Sequence, residues 1–191
     1  MGVISKNISK DFLYYAELGH KTKSVSPKAY SNLLGFRKNV SLINVERIKE
    51  SLSLSSQFIS SVLSKKPCSI LFVNLDNESN TSTKVCALRS MQPFLVKDWS
   101  SGTLTNIVAE HKIDIIFMLS AKTNNFILQE AKKLSIPVVA VVDTDTNSNL
   151  VSFPIWLNDD SIDLHHDLTI FISSIILQAN LTNYGLSILD R

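Results

Sequence analysis

The sequence predicts an α/β domain in which an open parallel sheet lies between two layers of helices. Three observations carry this. Residues 69–73, 113–119 and 136–142 are short, nearly continuous apolar runs, the pattern of strands covered on both faces. Segments with helical spacing or helix-end signals separate them and are long enough for parallel crossovers, which are right-handed. The chain has 191 residues, 45% hydrophobic and 19% charged, enough for one sizeable core and too apolar for a disordered chain. There is no internal repeat, so one domain over 1–191 is expected, with a basic N-terminal segment at 1–39, a sheet-and-helix core at 40–179 and a tail at 180–191.

In order along the chain, residues 40–45 (V-S-L-I-N-V) read as a strand. Asn44 then stands as the N-cap of a helix from 45 to about 64, with Ile48, Leu52, Ile59 and Leu63 near helical spacing. Lys65, Lys66 and Pro67 close it, because cations suit a helix C-terminus and proline cannot continue the helix. After the strand at 69–73 come a shorter helix over 81–91 and a short strand at 94–96. Residues 99–106 read as a polar loop carrying a tryptophan, followed by the strand at 113–119. A helix over 125–134 leads to the strand at 136–142, where a proline near the start is tolerated. A short strand at 151–153 precedes Asn158, Asp159, Asp160 and Ser161, which offer N-caps with acids where the helix dipole favours them. The last helix is expected to run to about Ala179.

Several function classes fall away on composition. No apolar run reaches the roughly 20 residues of a membrane span; the longest candidate, 168–177, is short and holds two serines. The N-terminus has neither a signal-peptide pattern nor an Arg-rich presequence, and Lys6 departs from the myristoylation pattern. Two cysteines, Cys68 and Cys86, make no zinc framework; no structural disulfide is expected, and a reduced, intracellular setting is.

Ligands of open α/β sheets sit beyond the carboxyl ends of the strands, which here are the loops after Val73, Val96, Leu119 and Val142. None of the five glycines forms G-x-G-x-x-G or a phosphate-cradling loop, and the loop at 74–80 carries two acids. Asp143 stands where some α/β enzymes hold a ribose, yet without a glycine loop it reads as a turn or cap residue. Asp159 and Asp160 read as helix capping rather than a catalytic pair. His165 and His166 are adjacent on a helix and point about 100° apart, so they cannot share one metal. His20, in G-H-K-T-K, reads as a polar contact, and no serine has the G-x-S-x-G setting. Neither a catalytic residue, a metal site nor a cofactor is expected.

Net charge is only +2, but it is uneven. Residues 1–50 hold nine Lys/Arg and four acids, and the rest of the chain carries a balance of −3. Between residues 18 and 45 lie five cations, Lys21, Lys23, Lys28, Arg37 and Lys38, and no acid. Between Lys133 and Arg191 there is no Lys or Arg, while seven aspartates occur. A basic side suited to a polyanion and an acidic side that repels one follow from this pattern; two ordinary solvated faces are the plainer alternative.

Eight stretches, taken in order, carry a resemblance. Gly19-His20 is similar to the end of a glycine–histidine signature, with Glu17 where a histidine is common, and Pro27-Lys28 follows at the usual distance. Residues 35–39 (G-F-R-K-N) resemble a glycine-x-arginine-asparagine turn, and 40–48 (V-S-L-I-N-V-E-R-I) a strand-to-helix step. Residues 99–106 resemble W-x-x-G-x-L-T-N, with Ser101 in place of a common second glycine. Residues 130–144 (E-A-K-K-L-S-I-P-V-V-A-V-V-D-T) follow closely, and Pro154-Ile155 with 158–161 resembles P-I-x-x-N-D-D-S, Trp156 replacing a usual proline. Together, over about 12–175, they resemble the universal small-subunit ribosomal protein two family in its mitochondrial form.

The resemblance implies a three-layer Rossmann-like (flavodoxin-like) sheet in a structural, non-enzymatic constituent of the mitochondrial small ribosomal subunit. Its implied partners are small-subunit rRNA and neighbouring small-subunit proteins, with no membrane and no homo-oligomer. The residues expected to bind rRNA are His20, Lys21, Lys23, Lys28, Arg37, Lys38, Trp99, Thr103, Thr105 and Asn106. Cations in or beside turns reach phosphates, and Trp99 anchors its loop so that Thr103, Thr105 and Asn106 face RNA or a partner. The acid-rich residues 143–167 are expected to face, in part, a basic neighbour. Bacterial and plastid members insert a long helical hairpin after L-T-N, whereas here only residues 107–112 precede the next strand. That short link, the weak basicity and the Ser/Asn/Ile/Lys-rich composition favour a mitochondrial, matrix-located form over a plastid or bacterial one, and the lack of a presequence fits either synthesis inside the organelle or a processed chain. The alternative function is a stand-alone α/β binding domain or enzyme for a small phosphorylated or sugar ligand.

Overall fold

A computed structural model describes residues 10–74, 80–95, 100–122 and 125–189. Its centre is a five-stranded parallel sheet made of β4 (Ile70–Val73), β5 (Phe94–Leu95), β6 (Ile115–Met118), β7 (Val138–Val142) and β8 (Phe153–Trp156). The spatial order is β5-β4-β6-β7-β8, the flavodoxin-like doubly wound order, whose direction reverses between β4 and β6. The apolar runs become the inner strands: every residue of β4, β6 and β7 is buried. The register sets Phe72 opposite Phe117, and their rings lie 5.3 Å apart.

Helices cover both faces. On one, α2 (Val45–Lys65), α3 (Asn80–Arg89) and α6 (Ile162–Leu189) pack together, α2 also lying on β8. On the other, α4 (Thr103–Glu110) packs against α5 (Asn125–Lys133). Asn44 caps α2 as its position predicts, its side chain accepting a hydrogen bond from the Glu46 amide at 2.9 Å. Ile48, Leu52, Ile59 and Leu63 form the buried stripe of α2. No helix among the described residues is long and apolar enough to cross a membrane.

Four expectations need correction. The strand expected at 40–45 forms, as β3 (Val40–Ile43), but in a second, antiparallel sheet of order β1-β3-β2. Its partners, β1 (Leu18–Lys21) and β2 (Leu33–Arg37), come from the segment read as merely basic, and a helix α1 (Lys10–Ala16) precedes them. Both partner strands are short and half-exposed, so they lack the alternation that marks a strand in sequence. Lys38 and Asn39, both at positive φ (48° and 64°), close the β2–β3 hairpin, the geometry of a type I′ turn.

The polar loop at 99–106 is a helix start. Thr103, Thr105 and Asn106 lie in the first turn of α4, whose Leu104, Ile107 and Val108 follow i, i+3, i+4 spacing. Gly102, with φ 91°, occupies the N-cap without a capping side chain, so the usual start signal is missing. Trp99 lies outside the described residues.

The strand expected at 151–153 is β8, Phe153–Trp156. It contains Pro154, which an edge strand accommodates because the missing N–H need not serve a second neighbour. Finally, α6 continues past Ala179 to Leu189, so residues 180–189 of the expected tail extend a helix. The Asn183 side-chain amide donates to the Leu63 carbonyl at 3.2 Å, tying that extension to the end of α2.

Candidate nucleic-acid interface

The carboxyl ends of β6, β7 and β8 deliver Ser120 and Lys122, then Asp143, Thr144 and Asp145, then Asn158, Asp159 and Asp160, to one crevice. This is where an open α/β sheet offers a ligand site. Here the chain fills it with its own N-terminal segment. The His20 Nδ1 lies 3.0 Å from Asp143 Oδ2, and Nε2 lies 3.6 Å from Asp145 and 3.5 Å from Asp160. The His20 amide donates to Thr144 Oγ1 at 2.9 Å, Ser41 Oγ donates to the His20 carbonyl at 2.8 Å, and the Ser26 amide donates to the Thr144 carbonyl at 2.7 Å. Asn158 holds the end of α1: its backbone amide donates to the Ala16 carbonyl and its side chain to that of Tyr15.

Gly19 is what lets the segment approach. A Cβ there would come within 2.6 Å of both Ser41 Oγ and Thr144 Cγ2, well inside van der Waals contact. The glycine–histidine pair thus acts as one unit, the glycine permitting contact and the histidine neutralising what it meets.

The charges explain the arrangement. Asp143 is fully buried and its carboxylate accepts from the Thr144 amide, from the Asp159 amide at 3.3 Å and from His20. The hydrogen bond to Asp143, with the negative field of Asp143, Asp145 and Asp160, raises the His20 pKa to about 9 against the desolvation that opposes it. Burial, reinforced by the neighbouring Asp143, pushes Asp159 up to about 6, although Ser120 Oγ donates to it at 2.9 Å. Lys122 bonds Asp145 at 2.5 Å, and that bond raises the lysine's pKa. His20, Asp143 and Asp159 bring ligand atoms within 4.8 Å of one another and are the described residues that could hold a metal. As they stand, the imidazolium supplies the counter-charge.

The expected acidic face is therefore not uniform. Asp143 and Asp145 are spent on partners inside the chain, while Asp160, Asp163 and Asp167 are exposed. His20 likewise departs from the reading as an outward RNA contact, because its ring is turned into these carboxylates.

The cations behave differently. Lys21, Lys23, Lys28, Arg37 and Lys38 are all exposed, and no ion pair among the described residues engages them. The register brings three of them to one end of the small sheet: Lys21 and Arg37 both pair across Val40, and Lys38 opens the adjoining turn. Lys23 and Lys28 lie in the short 3-10 turns between β1 and β2.

Thr103, Thr105 and Asn106 lie apart from that sheet, on α4. The start of α4 is held by Glu130 of α5, whose carboxylate accepts from the Gly102 amide at 2.7 Å and the Leu104 amide at 3.2 Å. These are amides that a helix start leaves unpaired, and a carboxylate also suits the positive end of the helix dipole. Thr103 Oγ1 donates to the Ser100 carbonyl at 2.7 Å, so its hydroxyl is committed locally, whereas Thr105 and Asn106 face out. Sequence reasoning missed Asp143, Thr144, Asn158 and Glu130 as partners of these motifs. The one signal was that each lies in a stretch carrying the family resemblance, 130–144 or 158–161.

The family model described as Ribosomal protein S2 matches this chain over residues 14–112 and 108–179. Those stretches take in the small sheet, the parallel sheet, the filled crevice and the Glu130-held helix start. The chain belongs to the ribosomal protein S2 family, a family of structural proteins of the small ribosomal subunit.

Proposed function

We propose that this protein is a structural constituent of the mitochondrial small ribosomal subunit, where it holds small-subunit rRNA through Lys21, Lys23, Lys28, Arg37 and Lys38 and docks on neighbouring proteins. The observation that carries the RNA assignment is the division of charge. The cations of residues 18–45 are exposed, while the crevice where an α/β enzyme would bind a small ligand is filled by His20 and lined by carboxylates. A phosphorylated substrate would meet repulsion there and attraction at the small sheet. Thr105 and Asn106 form a second, polar contact on α4. The mitochondrial assignment is supported by the six residues between Asn106 and Ile113 and the small net charge of +2. It is also supported by the way the family match falls into two stretches meeting at 108–112, where hairpin-bearing relatives carry their insertion. In such a form α4 takes the place of the hairpin.

Sedimentation of tagged protein from mitochondrial extracts tests this reading. The protein should travel with small subunits, and absence from those fractions defeats the proposal. Arg37→Ala combined with Lys38→Ala should lower incorporation; if that variant assembles normally while Asp160→Ala does not, the RNA-facing and protein-facing sides have been exchanged.

A further inference from the structure

Resting on the RNA-binding reading above, we propose that the β2–β3 hairpin and the turn before it form a stacking platform for unpaired RNA nucleotides. Tyr30 and Phe36 are its rings; Lys28, Arg37 and Lys38 are its phosphate contacts.

The rings are placed in a way that folding does not require. Phe72 and Phe117 of the core are at most 1% exposed, yet Tyr30 is 55% and Phe36 50% exposed, with Leu34 beside them at 67%. Tyr30 and Phe36 touch edge to face, centroids 6.2 Å apart and planes at 67°. Such a pair uses the face of one ring only, so an aromatic face stays open to a further planar partner.

Charge selects the partner. Lys28 precedes Tyr30 by two residues, Arg37 and Lys38 follow Phe36 directly, and no acid lies between residues 18 and 45. Exposed rings interleaved with unpaired cations match a chain that alternates planar bases with phosphates. Base faces are available only where nucleotides are unpaired, because in a duplex they are covered by their neighbours. The platform is also fixed in advance: β2 pairs with β3 from Leu33 to Arg37, and the turn at Lys38 and Asn39 closes it. Binding need not order the backbone that carries the rings.

The test uses the full chain with two fluorescent RNA probes carrying equal numbers of phosphates: an unstructured pyrimidine-rich strand and a perfect duplex. The single strand should bind tighter. Phe36→Leu and Tyr30→Leu should each weaken single-strand binding by about tenfold, in line with the loss of one base stack, and leave duplex binding and the salt dependence unchanged. Arg37→Ala with Lys38→Ala should weaken both probes and flatten the salt dependence. Thermal melts confirm that each variant folds. If neither probe binds the parent protein, the RNA-binding reading itself fails. If both probes bind and the leucine variants change neither, RNA is held by charge alone and the platform is wrong. If the leucine variants bind RNA normally but enter small subunits poorly, the rings are covered by a protein, which also overturns the proposal.

Discussion

His20 carries a proton where an ordinary histidine at neutral pH would often have lost it, and the sign of the effect on stability follows. Its pKa is raised from 6.5 to about 9 by Asp143 and the carboxylates around it. A base with a raised folded-state pKa stabilises the fold fully below its unfolded value and loses that contribution as the pH climbs through the folded one. The window therefore runs from the ordinary histidine value of 6.5 up to about 9. Asp159 works in the opposite sense: buried and raised to about 6, it favours the fold when protonated and costs stability once ionised. A His20→Gln variant should be less stable than the parent at neutral pH, and the gap in thermal midpoint should shrink as the pH is raised from neutrality to about 9, with little of it left beyond. A gap that stays constant across that range would mean the ring acts by packing alone.

At the scale of elements, α4 is the piece with the least support of its own. It is eight residues long, begins at a glycine and has no capping side chain from its own segment. Glu130 supplies the cap from α5 instead. Glu130→Ala should leave the parallel sheet intact and speed hydrogen exchange at the Gly102 and Leu104 amides by about tenfold, as loss of a cap costs on the order of 1 kcal/mol; exchange that stays unchanged would show that packing against α5 holds the helix. The same elements show what sequence can reveal. β4, β6 and β7 were legible because each is buried on both faces and so must be apolar throughout. Helix α2 was legible from Asn44 and its stripe. β1 and β2 were not, since their half-exposed side chains leave no alternation and only their pairing with β3 makes them strands. Nor was the contact of His20 with Asp143, 123 residues away. Each residue alone fits a bland local role, and only the folded sheet brings a buried carboxylate to a histidine.

At the scale of the whole molecule, early and late segments of the chain are stitched together. Ala16, His20 and Ser26 bond to Asn158, Asp143 and Thr144, and Asn183 near the end of α6 reaches back to α2. Those bonds span most of the sequence, and the crevice they close has a history as well as a shape. During synthesis the glycine–histidine segment emerges first, but its receptor does not exist until Asp159 has left the ribosome that makes it. At ordinary elongation rates the wait is on the order of ten seconds, during which Lys21, at the end of β1, and Lys23, in the turn after it, lie undocked. Nascent chains stalled before Asp143 should therefore be cut quickly by trypsin after these lysines, and chains stalled well beyond Asp160 slowly; equal cutting would show that the small sheet forms without its dock. The turn after β8 thus decides when the glycine–histidine segment, made long before it, becomes part of a surface that can meet RNA.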